Sequence, residues 1–83
     1  MSFKEEVIEL LKNTAVKLFK IDASGLSGDT SFQQDLKCKS TDLVRFTTVL
    51  EDEYDVEVPF MAFKRCATFA DAAAYIADLV GVE

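Results

Sequence analysis

The sequence predicts an all-α domain of three substantial helices plus one short one, with a long first loop. Three observations predict it. Apolar residues recur at helical spacing in three separate segments, turn and capping residues punctuate the ends of those segments, and no stretch needs to be a strand. At 83 residues the chain suffices for a single domain, 1–83, near the lower end of what folds without staples.

The first helix is expected over residues 3–19. Phe3, Val7, Leu10, Leu11, Thr14 and Leu18 share one face, while Lys4, Glu5, Glu6, Glu9 and Lys12 fill much of the other. The following stretch, KIDASGLSGDTSFQQDLKCK, holds two of the three glycines and no sustained period. It reads as a connecting loop pinned by Ile21, Leu26, Phe32 and Leu36, and loops of this length tend to be functional. It is not a calcium loop. Counting from Asp22, the sixth position is Ser27 where glycine is required and the twelfth is Gln33 where glutamate is required.

The second helix should run over residues 40–54. At about 100° per residue, Leu43, Phe46, Thr47, Leu50 and Tyr54 face the core, and Thr41, Arg45, Thr48 and Asp52 face water. Val58 before Pro59 is driven out of helical geometry, which ends this element. Pro59 then opens a short helical turn through Phe60 to Lys64. TFAD at 68–71 has a capping-box pattern. The last helix follows, with Phe69, Ala72, Ala73, Ile76, Leu79 and Val80 inward and Gly81 placed to end it.

Composition narrows the function classes. Fifteen acids against nine bases give a net charge of −6. That argues against nucleic acid, which demands a basic surface, and favours basic protein partners. Without histidine the chain lacks the usual general base near neutral pH, so an imidazole dyad or triad is excluded. Cys38 and Cys66 cannot make a disulfide framework and have no metal spacing, so they read as free thiols in a reducing compartment. The N-terminus is charged at once, and no run is long enough to span a bilayer, so a cytoplasmic protein is expected.

The serine of DLKCKSTDLVRF (residues 35–46) is ambiguous by itself. Taken locally, Ser40 reads as a helix cap. Its surroundings change that reading. Leu26 lies in the loop, then Phe32, Asp35 and Leu36 form F-x-x-D-L, and Ser40 follows four residues later. EDEY (51–54) and VEVP (56–59) come next, and nine residues past the proline stand Thr68 and Asp71, then Tyr75-Ile76. In this order and spacing the chain resembles the acyl carrier protein family, a four-helix bundle.

The resemblance implies a non-catalytic carrier. Ser40 would bear a phosphopantetheine arm from coenzyme A, attached by a phosphopantetheinyl transferase. Acyl intermediates would ride on the arm as thioesters to acyl-transferring, synthase or ligase enzymes of fatty acid, lipid or polyketide biosynthesis. It also implies partner recognition along the second helix (Lys39, Thr41, Asp42, Arg45, Thr48, Asp52) and a monomer. Phe46, Leu50, Phe60, Met61 and Phe63 would supply an acyl pocket between the second and third helices, or an apolar patch for a partner. One helical turn cannot point Phe60, Met61 and Phe63 all inward, and core packing of two of these three is the simplest reading. The runner-up is an unmodified carrier-like interaction module.

The chain departs from the family at the site itself. Lys39-Ser40-Thr41 replaces Asp-Ser-Leu, and Arg45 stands where many relatives carry an acid. Lys37, Lys39 and Arg45 face only Asp42 over residues 37–45, whereas residues 51–57 hold five acids and no base. Partners with a uniformly basic docking surface would be disfavoured at the first segment. Cys38, two residues from Ser40, is expected to be mostly protonated, with Lys37 and Lys39 acting to lower its pKa somewhat. Cys66 reads as a small core residue. Glu51, Asp52 and Glu53 are expected on an exposed helix and not paired across a cleft, which argues against acid–base catalysis.

Overall fold

The computed structural model describes residues 2–82, and the predicted helices are all present. They are α1 (Phe3–Phe19), α2 (Ser40–Tyr54), α3 (Phe60–Lys64) and α4 (Phe69–Val80), with a short 3-10 turn at Ala23–Gly25. Among the described residues the only β feature is one isolated bridge, Ser31 to Thr68. α1 packs on α4 and α2, and α3 packs on α2.

Two helices begin on complete capping boxes. At α1, Glu5 N–H donates to Ser2 Oγ (3.2 Å) and Ser2 N–H donates to Glu5 Oε1 (2.8 Å). At α4, Asp71 N–H donates to Thr68 Oγ1 (3.1 Å), while Asp71 Oδ2 accepts from Thr68 and Ala67 N–H. Each pair satisfies backbone donors that a helix start leaves without partners. The far ends close in left-handed conformations at Lys20, Asp55 and Gly81, and only Gly81 (φ 89°) is a glycine free to adopt it without cost.

Phe32, from the loop, is the centre of the core. Its ring meets Phe46 of α2 and Phe63 of α3 at 5.3 Å and Phe69 of α4 at 5.0 Å, all tilted or edge-on. Such pairs add to simple burial. Val7, Leu11 and Ala15 close the α1 side, and Leu43, Leu50, Ala72, Ala73 and Ile76 complete the interior.

The long loop is anchored differently from expectation. Leu26, Thr30, Phe32 and Cys38 are buried, but Ile21 is 36% exposed and anchors nothing, because Lys20 ends α1 and leads the chain out along the surface. The loop also docks on α4: Phe69 N–H donates to Thr30 O (3.1 Å) and Ala70 N–H to Gly28 O (2.8 Å). A β-carbon on Gly28 would come within 3.3 Å of Ile8, so the approach needs glycine or a local shift.

Leu79 is a second correction. It lies at the edge of the α4 stripe in the last turn and is 39% exposed, while Ala77 takes a core position. Glu51 is a third. It is half-buried, and its Oε2 accepts Val58 N–H at 2.8 Å, tying the end of α2 to the segment before Pro59.

The Tyr54 ring packs at a tilt on Phe3 at 5.1 Å, but its buried hydroxyl has no hydrogen-bond partner among the described residues. Burial, with Glu6 and Glu53 nearby, raises its pKa. An unpaired buried hydroxyl costs about 1–3 kcal/mol. Tyr54→Phe is therefore expected to hold or raise the melting temperature, by about 4–8 °C for each 1 kcal/mol recovered. A lower melting temperature would show that the hydroxyl is satisfied in solution.

Candidate functional site

The site is built from the turn before α2. Phe32 plugs the core, and its N–H donates to Ala67 O (3.1 Å), fixing the start of the turn to the segment before α4. Asp35 then closes the turn: its Oδ2 accepts Ser31 N–H at 2.7 Å, and the N–H groups of Asp35 and Leu36 both donate to Ser31 O. The F-x-x-D-L pattern thus has a mechanical meaning, with the ring inward and the carboxylate folding the backbone.

Lys37 takes a positive φ of 52°, which costs a non-glycine residue roughly 1–2 kcal/mol. It is held there by buried neighbours, since Cys38 N–H donates to Phe32 O (2.9 Å) and Cys38 is itself buried. The chain leaves the core at Lys39 and Ser40, both exposed, and α2 begins.

Ser40 is not the cap of this helix. Lys39 occupies the cap position, and no side chain caps the start of α2. Only half of a capping box forms: Asp42 Oδ2 accepts Lys39 N–H at 3.0 Å, and an ammonium has no lone pair to return. The first helical bond is Leu43 N–H to Lys39 O. The N–H groups of Ser40, Thr41 and Asp42 find no acceptor among the described residues. α2 therefore starts open where α1 and α4 are sealed, with the Ser40 hydroxyl at the opening. An open start carries partial positive charge and suits an anion.

Lys39, Thr41, Arg45, Thr48 and Asp52 are exposed, as expected, and Asp42 is half-buried. Thr48 is less free than it looks, because its hydroxyl donates to Val44 O (2.9 Å). Val44 itself, one turn beyond Ser40, is 48% exposed; the sequence reading missed it, although its spacing from Ser40 gave the signal.

The five residues grouped as an acyl pocket or patch separate. Phe46, Leu50 and Phe63 are fully buried in the core, Phe60 is half-buried, and Met61 is 62% exposed. None of the five lines either of two surface cavities. One, of about 440 Å³, lies in the first loop between Ile21 and Leu36. The other, of about 340 Å³, lies between α1 and α2.

Cys38 is protonated at neutral pH, as expected, but the lowering expected from Lys37 and Lys39 is reversed. Burial, and secondarily Asp42, pushes its thiol up to about 11, so Lys37 and Lys39 do not activate it. The half-buried Cys66 is also raised, by burial and Asp71. Among the described residues no cluster could hold a metal ion, and no helix is long and apolar enough to cross a membrane.

Comparison with known proteins identifies the family. The chain is 34% identical to the acyl carrier protein of Lactobacillus acidophilus over 73 residues, covering 88% of this chain and 91% of that one. Residues 9–76 match the family described as "Phosphopantetheine attachment site". The match spans α2 and α3 whole and most of α1 and α4, and the chain belongs to that family of carrier proteins.

Proposed function

We propose that the chain is an acyl carrier whose phosphopantetheine arm is attached to Ser40 and whose cargo is passed among partner enzymes. The observation that carries the reading is the open start of α2. An exposed serine opens the helix at a turn whose first three backbone N–H groups are unpaired among the described residues, and no side chain there caps them. A phosphodiester on Ser40 Oγ would meet those donors and the positive end of the helix, worth about 0.3–1 kcal/mol at an exposed position. Lys39 and Lys37 add positive charge on the same turn. When attached, the arm supplies a terminal thiol for thioester formation. The chain contributes the anchor, the exposed presentation and the surface that partners read; the carrier itself is not a catalyst.

Intact mass after incubation with coenzyme A and a broad-specificity transferase tests this. A gain of one phosphopantetheine group supports the carrier. No gain with any transferase of the source organism would leave an unmodified interaction module instead.

Partner choice follows from the charge on α2. Lys37, Lys39 and Arg45 at its start oppose Glu51, Asp52 and Glu53 at its end, and one of those acids, Glu51, is committed to Val58. A partner for this carrier therefore needs an acidic or neutral surface near Ser40. The exposed Val44 and Met61 add apolar contact, and a single Met61 adapts to varied surfaces. Fatty acid, lipid and polyketide assembly all fit this role, with the chain acting as a monomer in the cytoplasm. Lys39→Asp with Thr41→Leu should raise the rate of modification by a general-purpose transferase by roughly tenfold, since rim charges act mainly on association rate. An unchanged rate would contradict the charge-based choice of partner.

A further inference from the structure

The cavity between α1 and α2 has no part in the site described above. It is lined by Leu10, Leu18 and Val49, with Asn13, Lys17 and Arg45 among them. Thr14 completes it, but its hydroxyl proton is spent on Leu10 O at 2.8 Å, so it brings no free donor. At about 340 Å³ it falls at the small end of the range for ligand pockets, about 300–1,000 Å³.

Its charge is unlike that of the protein. The chain is −6 overall with fifteen acids, yet the cavity is lined by two bases and no acid. Neither base is paired among the described residues, where the ion pair is Lys12 with Glu9. The Asn13 amide also makes no side-chain hydrogen bond among those residues. Three free donors thus sit with aliphatic side chains in a space of single-chain size.

We infer that this groove binds a medium-chain aliphatic carboxylate. Leu10, Leu18 and Val49 would cover the chain, and Lys17, Arg45 and Asn13 would hold the head group. A short carboxylate lacks the apolar body, and a neutral alcohol lacks the charge. Binding does not depend on Ser40, so Ser40→Ala should bind equally well. Arg45 also belongs to the helix proposed to meet partners, so an occupied groove neutralises one of the charges proposed for partner choice. That consequence rests on the reading given above, whereas the binding does not.

The test is a titration of the isotope-labelled chain with decanoate below its micelle concentration, followed by amide and methyl NMR, with decanol and acetate in parallel. Saturable shifts confined to the Leu10, Leu18 and Val49 methyls and the Arg45 amide are expected. Exposed ion contacts of up to about 1 kcal/mol correspond to about fivefold each, so Lys17→Gln with Arg45→Gln should weaken decanoate binding about tenfold or more. Both side chains are at the surface, and the circular dichroism spectrum should be unchanged. If that variant does not fold, decanol and acetate binding several-fold more weakly to the native chain still carries the head-group claim. Equal binding of decanol, no saturable shift, or shifts centred on the loop cavity would overturn the inference. So would shifts from an acidic amphipathic peptide where decanoate gives none, which would make the groove a protein contact.

Discussion

Phe32→Ala is expected to leave the chain largely unfolded, or close to it, at room temperature. The ring is buried and touches three other buried rings from α2, α3 and α4. Truncating such a residue costs about 3–5 kcal/mol, because the void adds to the lost transfer energy. A chain of 83 residues has about 4–12 kcal/mol of stability in total. The loss therefore removes a large share of it, and at the lower end of that range nearly all. Urea denaturation followed by circular dichroism measures it, and Phe32→Leu, which leaves a smaller void, should show a clear but lesser loss. Phe32 also anchors the turn that delivers Ser40, so the alanine variant should be modified slowly even at temperatures where helix remains. A loss of less than about 1 kcal/mol for Phe32→Ala would place the centre of the core elsewhere.

Ser40→Ala is expected to abolish modification entirely and to leave stability within about 0.5 kcal/mol of the native chain. The second half distinguishes the two readings of this serine. Replacing a true cap by alanine costs about 0.5–2 kcal/mol, and Thr68→Ala should show such a loss, since Thr68 accepts from Asp71 at the start of α4. Ser40 makes no such bond, and the cap position belongs to Lys39. Thermal melts of the two variants beside the native chain make the comparison within one protein. If Ser40→Ala melts as low as Thr68→Ala, the hydroxyl is spent on the helix, and its availability for attachment is in doubt.

Much of this architecture was legible in the order of residues. Helix periodicity and start signals identify α1, α2 and α4, because those signals act within one or two turns of chain. The capping box at Thr68 and the end at Gly81 are local in the same sense, and both are present. The F-x-x-D-L spacing located the turn before Ser40 but not its working, since the contacts of Phe32 come from three distant helices. Features that depend on tertiary packing were misread or missed. Lys37 and Lys39 flank Cys38 in sequence, yet burial decides its thiol. Glu51 sits in an acidic run that looks wholly solvated, yet it reaches across seven residues to Val58. Phe46, Leu50 and Phe63 read as possible pocket walls because periodicity marks an inward face without saying whether that face is packed or hollow. The groove with Lys17 and Arg45 joins two helices far apart in sequence, and no local pattern announces it.

The central claim is that the open start of α2 presents Ser40 for attachment. The most direct test is a fragment-resolved mass spectrum of the chain after incubation with coenzyme A and a transferase. The predicted result is a single added phosphopantetheine group placed on Ser40 and absent from the Ser40→Ala chain. The same group found on Thr41, Ser31 or either cysteine, or persisting in Ser40→Ala, would contradict the account.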